Sequence, residues 1–286
     1  MMSTISHAAQ SSSDDTIKRT FKVRSGGTLL IDIDRGSIEV RTIAGNEVHV
    51  ELERRIRDVE EDDIKTFLNR HEVVIRQDGN NIIVDSKFDD EYVSSWSRGR
   101  RHKDDRFELA VIVLVPQIFN LDILSGAGNV EIEDLNGSIM GRIGMGNIEI
   151  GDIIGSIDIG TGAGFIEINS VDGSVEVISG AGNIEIADVG GRVIARTRAG
   201  DIKVTITKQP RGDSQLSSGY GAVTVYMEEG IAVDVEARTS LGSAESAFGH
   251  KIIGKWMSKS FEGRVNGGGP ALVLYSGVGT VSLKRN

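Results

Sequence analysis

The chain has 286 residues, a formal net charge of −10, 39% hydrophobic but only 5% aromatic residues, 36 glycines, 3 prolines and no cysteine. This excludes collagen, which needs proline-rich glycine triplets, and also disulfides, thiolate nucleophiles and cysteine metal sites. An acidic surface disfavours nonspecific binding of nucleic acid or an anionic membrane by the whole molecule and leaves room for local basic loops, whereas glycine mixed with β-branched aliphatics suits short strands and tight turns.

Residues 1–16 are polar and Ser-rich, with no basic start or apolar run, and are expected to form a disordered tail. No stretch of about 18 apolar residues occurs, so no transmembrane segment is expected. The default location is cytoplasmic, with surface display only by non-classical export. Residues 17–117 form a β-rich N-terminal part with strands FKV, TLLIDI, GSIEVRTI and EVHVELE. Residues 59–70 follow with helical spacing at Val59, Ile64, Phe67 and Leu68 and acidic residues in the first turn. Two further strands, HEVVIRQ and NIIVDSKF, meet at a tight turn around Asp78-Gly79-Asn80. After a charged loop at 88–106, the apolar FELAVIVLVP leads into residues 118–286.

That last region is repetitive. GAGNVEIEDLNGSI, GMGNIEIGDIIGSI, GAGFIEINSVDGSV and GAGNIEIADVGGRV begin at 126, 144, 162 and 180, a constant spacing of 18. A degenerate fifth copy has its glycine at Gly200, later ones at Gly221, Gly242 and Gly279, and an early one at Gly36. Insertions at 208–213 and 246–263 interrupt the later copies. Each unit holds two alternating runs, N-I-E-I and S-I-x-x, and alternation with period two marks a strand with one buried face. The expected fold is all-β: a parallel β-solenoid with 18-residue coils, two strands per coil, and one short helix in an N-terminal insertion. Its predicted core is a set of columns, Val130, Ile148, Ile166, Ile184, Ile202 and Val223 beside Ile132, Ile150, Ile168, Ile186, Val204 and Val225. The second strand of each coil supplies columns beginning at Leu121 and Ile123. Each buried aliphatic contributes roughly 1.5–3 kcal/mol, and stacking is what lets thin coils offset their chain entropy.

The early GSIEV, the segment VIVLVP followed by NLDILSGAGNVEI, the run of GxGxI-E-I units and the terminal SGVGTVSL together resemble the bacterial putative-adhesin family, a β-solenoid domain of unknown function. The resemblance covers roughly residues 21–286 and implies surface adhesion. It brings no catalytic residues and no cofactor.

Outward positions of the first strand form a row, Glu131, Glu149, Glu167 and Glu185, then Lys203. Neighbouring carboxylates about 4.8 Å apart repel by about 1 kcal/mol even in a water-like dielectric. The row is a weak candidate for cations such as calcium, and a solvated face that prevents aggregation is the preferred reading. Asp122, Asp158 and Glu176 form a looser row on the second sheet. Basic and aromatic residues gather in two loops, Trp96 with Arg98, Arg100 and Arg101, and Lys251, Lys255 and Lys259 with Trp256. These are candidate contacts for an anion, a peptide or a membrane surface. Arg211-Gly212-Asp213 is a receptor tripeptide by composition and most economically a chance one. The five histidines are scattered, without HxH or HExxH spacing. The functional expectation is a non-enzymatic adhesin-like binding protein with a protein or envelope polymer as partner. A self-assembling cytoplasmic scaffold stacking through the coil ends as a homo-oligomer is the second reading, and a polysaccharide-active enzyme the third.

Overall fold

A computed structural model describes residues 11–59, 61–89, 107–254 and 256–286. The N-terminal strands are β1 (Ser11–Lys22), β2 (Gly27–Arg35), β3 (Ser37–Ile43) and β4 (Glu47–Val59), then helix α1 (Glu61–Asn69) and β5 (His71–Asp78), β6 (Asn81–Phe88) and β7 (Phe107–Pro116). The repeats give β8 (Phe119–Ala127), β9 (Val130–Ile132), β10 (Leu135–Asn136), β11 (Ile139–Met145), β12 (Ile148–Ile154), β13 (Ile157–Ala163) and β14 (Ile166–Val171). They continue through β15 (Val175–Ala181), β16 (Ile184–Val189), β17 (Val193–Ala199), β18 (Ile202–Ile206), β19 (Ser214–Tyr220) and β20 (Val223–Met227). The chain closes with β21 (Val233–Leu241), β22 (Ala244–Ser246), β23 (Lys259–Val265), β24 (Ala271–Val278) and β25 (Val281–Arg285).

These strands form two sheets, of 13 and 12 strands, and the chain alternates between them through the repeats. Within each sheet the repeat strands pair in parallel at an offset of 18, Ile148 with Ile166 and Ile166 with Ile184 in one, Ile139 with Ile157 and Ile157 with Val175 in the other. A constant offset turns a sequence repeat into straight columns. All the expected core columns are buried. The first sheet adds a third, Leu135, Ile153, Val171, Val189, Ile206 and Met227, because its strands run past the expected N-I-E-I core.

Two backbone devices explain the repeat motif. A Cβ on Gly164 would lie 2.1 Å from the Gly146 carbonyl oxygen of the rung below, and its φ is +147°, so only glycine fits. The same close approach recurs from Gly128 to Gly221. The residue after this glycine is often Asn because its side-chain oxygen accepts from the next rung. Asn129 Oδ1 takes Asn147 N at 3.0 Å, and Asn183 Oδ1 takes Asp201 N at 2.9 Å.

A buried hydroxyl row completes the corner. Thr161, Ser179, Thr197, Ser218, Ser276 and Thr239 occupy neighbouring rungs and are all under a tenth exposed. Thr161 Oγ1 donates to Gly146 O at 3.0 Å, Ser179 to Gly164 O at 3.1 Å and Thr197 to Gly182 O at 3.0 Å. The glycine conformation turns its carbonyl inward, and the hydroxyl satisfies it, as a buried acceptor requires. Ile143 interrupts the row.

Spatial order departs from chain order at both ends. The rung of β6 and β7 lies outside that of β2 and β3, while β8 and β9 return to the inner side of β2 and β3. At the other end, β24 and β25 slot between the rung of β19 and β20 and the rung of β21 and β22. The glycines stack accordingly, Gly279 on Gly221 and Gly242 on Gly279, so the Gly242 copy is not the neighbour of the Gly221 copy.

Antiparallel strands finish three of the four sheet ends: β4 and β1 beyond β7, β5 beyond β6, and β23 beyond β21. The fourth ends on the three-residue β22. Of the expected disordered tail 1–16, residues 11 and 13–16 instead pair with β4 and Asp15 bonds Arg54, while residues 1–10 lie outside the described residues. Helix α1 falls within its expected range and packs Phe67 against Phe88 and Phe107. The hairpin of β5 and β6 turns at Gly79-Asn80, with Asp78 opposite Asn81.

Candidate functional site

The outer face of the first sheet carries the glutamate row in register. Glu39, Glu131, Glu149, Glu167 and Glu185 are successive Cα partners, followed by Lys203. Sequence reading missed Glu39, whose copy lies far upstream and joins the row only through the pairing of β3 with β9. The row is neutralised at its ends: Arg41 bonds Glu39, and Lys203 Nζ reaches Glu185 at 2.6 Å. That bond, reinforced by the Glu185 charge, raises the Lys203 pKa above the ordinary lysine value. Among the described residues no ion pair forms at Glu131, Glu149 or Glu167, which leaves three exposed carboxylates on consecutive strands.

Across the molecule the acidic row is of another kind. Met140 separates Asp122 from Asp158, and Arg142 bonds Asp158 at 2.8 Å while Arg196 lies 3.9 Å from Glu176. Exposed ion pairs of this sort add little to stability. Among the described residues no group of three or more His, Asp or Glu is placed to hold a metal ion, so the first row offers point charges and not a coordination cage.

Of the basic and aromatic candidates, Trp96, Arg98, Arg100, Arg101 and Lys255 lie outside the described residues. Lys251 is exposed, Lys259 half-buried, and Trp256 is 94% exposed. The tripeptide at 211–213 is partly committed to the fold: Asp213 Oδ1 accepts from Ala271 N at 2.9 Å, and its carbonyl accepts from Arg192 at 3.1 Å.

Among the described residues His71 is the one strongly perturbed group. It lies under Phe88, with ring centroids 4.4 Å apart, and its Nε2 is 2.7 Å from Ser86 Oγ. Burial, with Arg54 nearby and against the pull of Asp34, pushes its pKa down to about 4. The ring is therefore neutral at pH 7, with Nδ1 unpartnered. It packs in an aromatic box against Phe88 and Phe107. A cleft of about 850 Å³ opens elsewhere, between Arg35, Glu53, Arg55, Glu108 and Met145. Its charges engage one another or neighbours, Arg55 with Glu53 at 2.9 Å and Glu108 with Arg57 at 3.3 Å, so it presents no free acid–base pair. Among the described residues no helix is long and apolar enough to cross a membrane.

No family model matches the chain, and no curated protein does. Solved structures align with it over nearly the whole length. A protein described as a putative adhesin from Bacteroides fragilis is 12% identical over 95% of this chain and 97% of its own, with a TM-score of 0.48. A putative lipid binding protein from Parabacteroides distasonis is 11% identical over 93% and 96%, at 0.44. A putative cell adhesion protein from Clostridium sporogenes is 10% identical over 95% and 100%, at 0.34. These are likenesses at about a tenth identity and assign no ligand to this chain.

Proposed function

We propose that the chain is a β-solenoid that works as a non-enzymatic, adhesin-like binding protein, with a protein or an envelope polymer as partner. The observation that carries this reading is the constant 18-residue register, which sets like side chains in rows on the outer faces. Rows whose members stand about 4.8 Å apart suit a partner that is itself extended or repetitive, and the stretch from Glu131 to Glu167 offers such a row of exposed, unpaired carboxylates. The antiparallel end strands and the shortness of β22 weigh against the scaffold reading, since they break the parallel register through which coils would stack.

Binding to a panel of envelope polymers and surface proteins, read by biolayer interferometry, tests it. The expected result is binding that Glu131→Gln, Glu149→Gln and Glu167→Gln together weaken about tenfold, as loss of several favourable charge contacts would. Wild-type binding unchanged by the triple variant removes the row from the account, and turnover of a polymer on the panel refutes the non-enzymatic reading.

A further inference from the structure

One surface feature is independent of the glutamate row. Between β22 and β23 the chain runs through Ile252, Ile253, Trp256 and Met257, which are 40%, 49%, 94% and 62% exposed. Such a cluster on a protein surface marks a contact site. The loop is held in place: Ile253 and Ser260 exchange two backbone bonds of 2.9 Å, Gly242 N donates to the Met257 carbonyl at 2.9 Å, and Ser258 Oγ donates to the Thr239 carbonyl at 3.1 Å. Trp256 itself has φ of +57°, a left-handed conformation costly for a bulky residue. A strained backbone that aims an aromatic ring outward is a conformation kept for what the ring meets.

Between Glu245 and Glu262, the segment that forms this tip carries charge opposite to that of the molecule. Residues 246–261 contain Lys251, Lys255 and Lys259 and no acidic residue, in a chain of net charge −10. The apolar surface continues from the loop along the rungs through Leu241, Val278 and Tyr220, which are Cα partners in register and 38%, 39% and 65% exposed. We infer that this end docks on an anionic lipid surface, Trp256, Met257 and Ile253 entering the headgroup boundary while Lys251 and Lys259 meet lipid phosphates. Tryptophan and lysine have this division of labour at membrane interfaces. A convex tip suits a fluid interface, which needs no complementary pocket. A second copy joined through the same patch would bring like-charged lysines together, which disfavours that occupant.

The test uses the full chain with Trp96→Phe, so that Trp256 is the only tryptophan. Mixed with phosphatidylcholine–phosphatidylglycerol vesicles, it is expected to show blue-shifted emission and to sediment with the lipid. Lys251→Glu with Lys259→Glu lowers retention at least about tenfold, and Trp256→Ser with Met257→Ser abolishes it. Lys259 is half-buried and the other three residues are exposed, and unchanged melting curves confirm that both variants fold. Absence of retention on anionic vesicles overturns the inference. So does equal retention on pure phosphatidylcholine, or a blue shift that grows with protein concentration without lipid, which assigns the patch to a second copy. A blue shift on adding an acidic polypeptide, with none on vesicles, overturns it in favour of a protein partner.

Discussion

Replacing Thr161 by valine keeps the side-chain shape and removes only the hydroxyl. Thr161 is 5% exposed, and its Oγ1 lies 3.0 Å from the Gly146 carbonyl and 3.2 Å from that of Ala163. Without it the Gly146 carbonyl, turned inward by the glycine conformation, loses its hydroxyl partner inside the stack. An unsatisfied buried acceptor costs about 1–3 kcal/mol, and the added apolar methyl returns part of that, so a net loss of about 1–2 kcal/mol is expected. Urea unfolding followed by circular dichroism reads this as a lower midpoint at unchanged slope. Thr197→Val should cost a similar amount, since Thr197 donates to Gly182 O at 3.0 Å. The two sites are two rungs apart, about 10 Å, so the double variant should be additive within about 0.5 kcal/mol. A change below about 0.5 kcal/mol at both sites would refute the claim that the hydroxyl row satisfies the glycine carbonyls.

Gly164→Ala places a Cβ 2.1 Å from a backbone oxygen at φ +147° and should cost more than about 3 kcal/mol in the same assay, whereas Gly45→Ala, strained at φ +115° but with open space around it, should cost about 1–3 kcal/mol. Ile168→Ala, at a position 0% exposed, should cost about 2–5 kcal/mol by thermal or urea unfolding. His71 has a folded pKa of about 4, below its unfolded value of about 6.5, so the unfolded chain binds the proton first as pH falls. Its contribution to stability is therefore full above about pH 6.5 and is lost down to about pH 4, by on the order of 3 kcal/mol. Titrating stability across that window, with His71→Phe as the variant that loses this slope, checks the sign.

The parallel sheets and their core were legible because an 18-residue repeat with period-two alternation leaves few other ways to bury its isoleucines. The third column stayed hidden: Ile153 and Val171 follow Gly151-Asp152 and Asn169-Ser170, polar pairs that read as turn and not as strand. The hydroxyl row was equally silent, since Thr161 or Ser179 beside glycines looks like a solvated corner until the inward carbonyl is seen. Rung order at the ends could not be read from spacing, because a step of 21 to Gly242 and a late copy at Gly279 fit either arrangement. Glu39 and Gly36 were visible as an outlying copy, but only β7, paired with β3, and β9 on its other side fix where that copy sits. As for the candidate surfaces, the charges were plain in sequence, while their pairing was not: Arg142 and Arg196 engage Asp158 and Glu176 in one acidic row, while Glu131, Glu149 and Glu167 stay open in the other.

The row geometry on which the binding reading rests can be tested with engineered cysteines, since the chain has none of its own. Adjacent strands bring Cα atoms within about 5 Å, inside the range a disulfide spans, whereas alternate rungs lie about 10 Å apart. Oxidation should close Glu149→Cys with Glu167→Cys, and Tyr220→Cys with Val278→Cys, but not Tyr220→Cys with Leu241→Cys, because the Val278 strand lies between them. A Tyr220–Leu241 crosslink formed in place of Tyr220–Val278, or no closure at Glu149–Glu167, would contradict the stacking and the straight rows built on it.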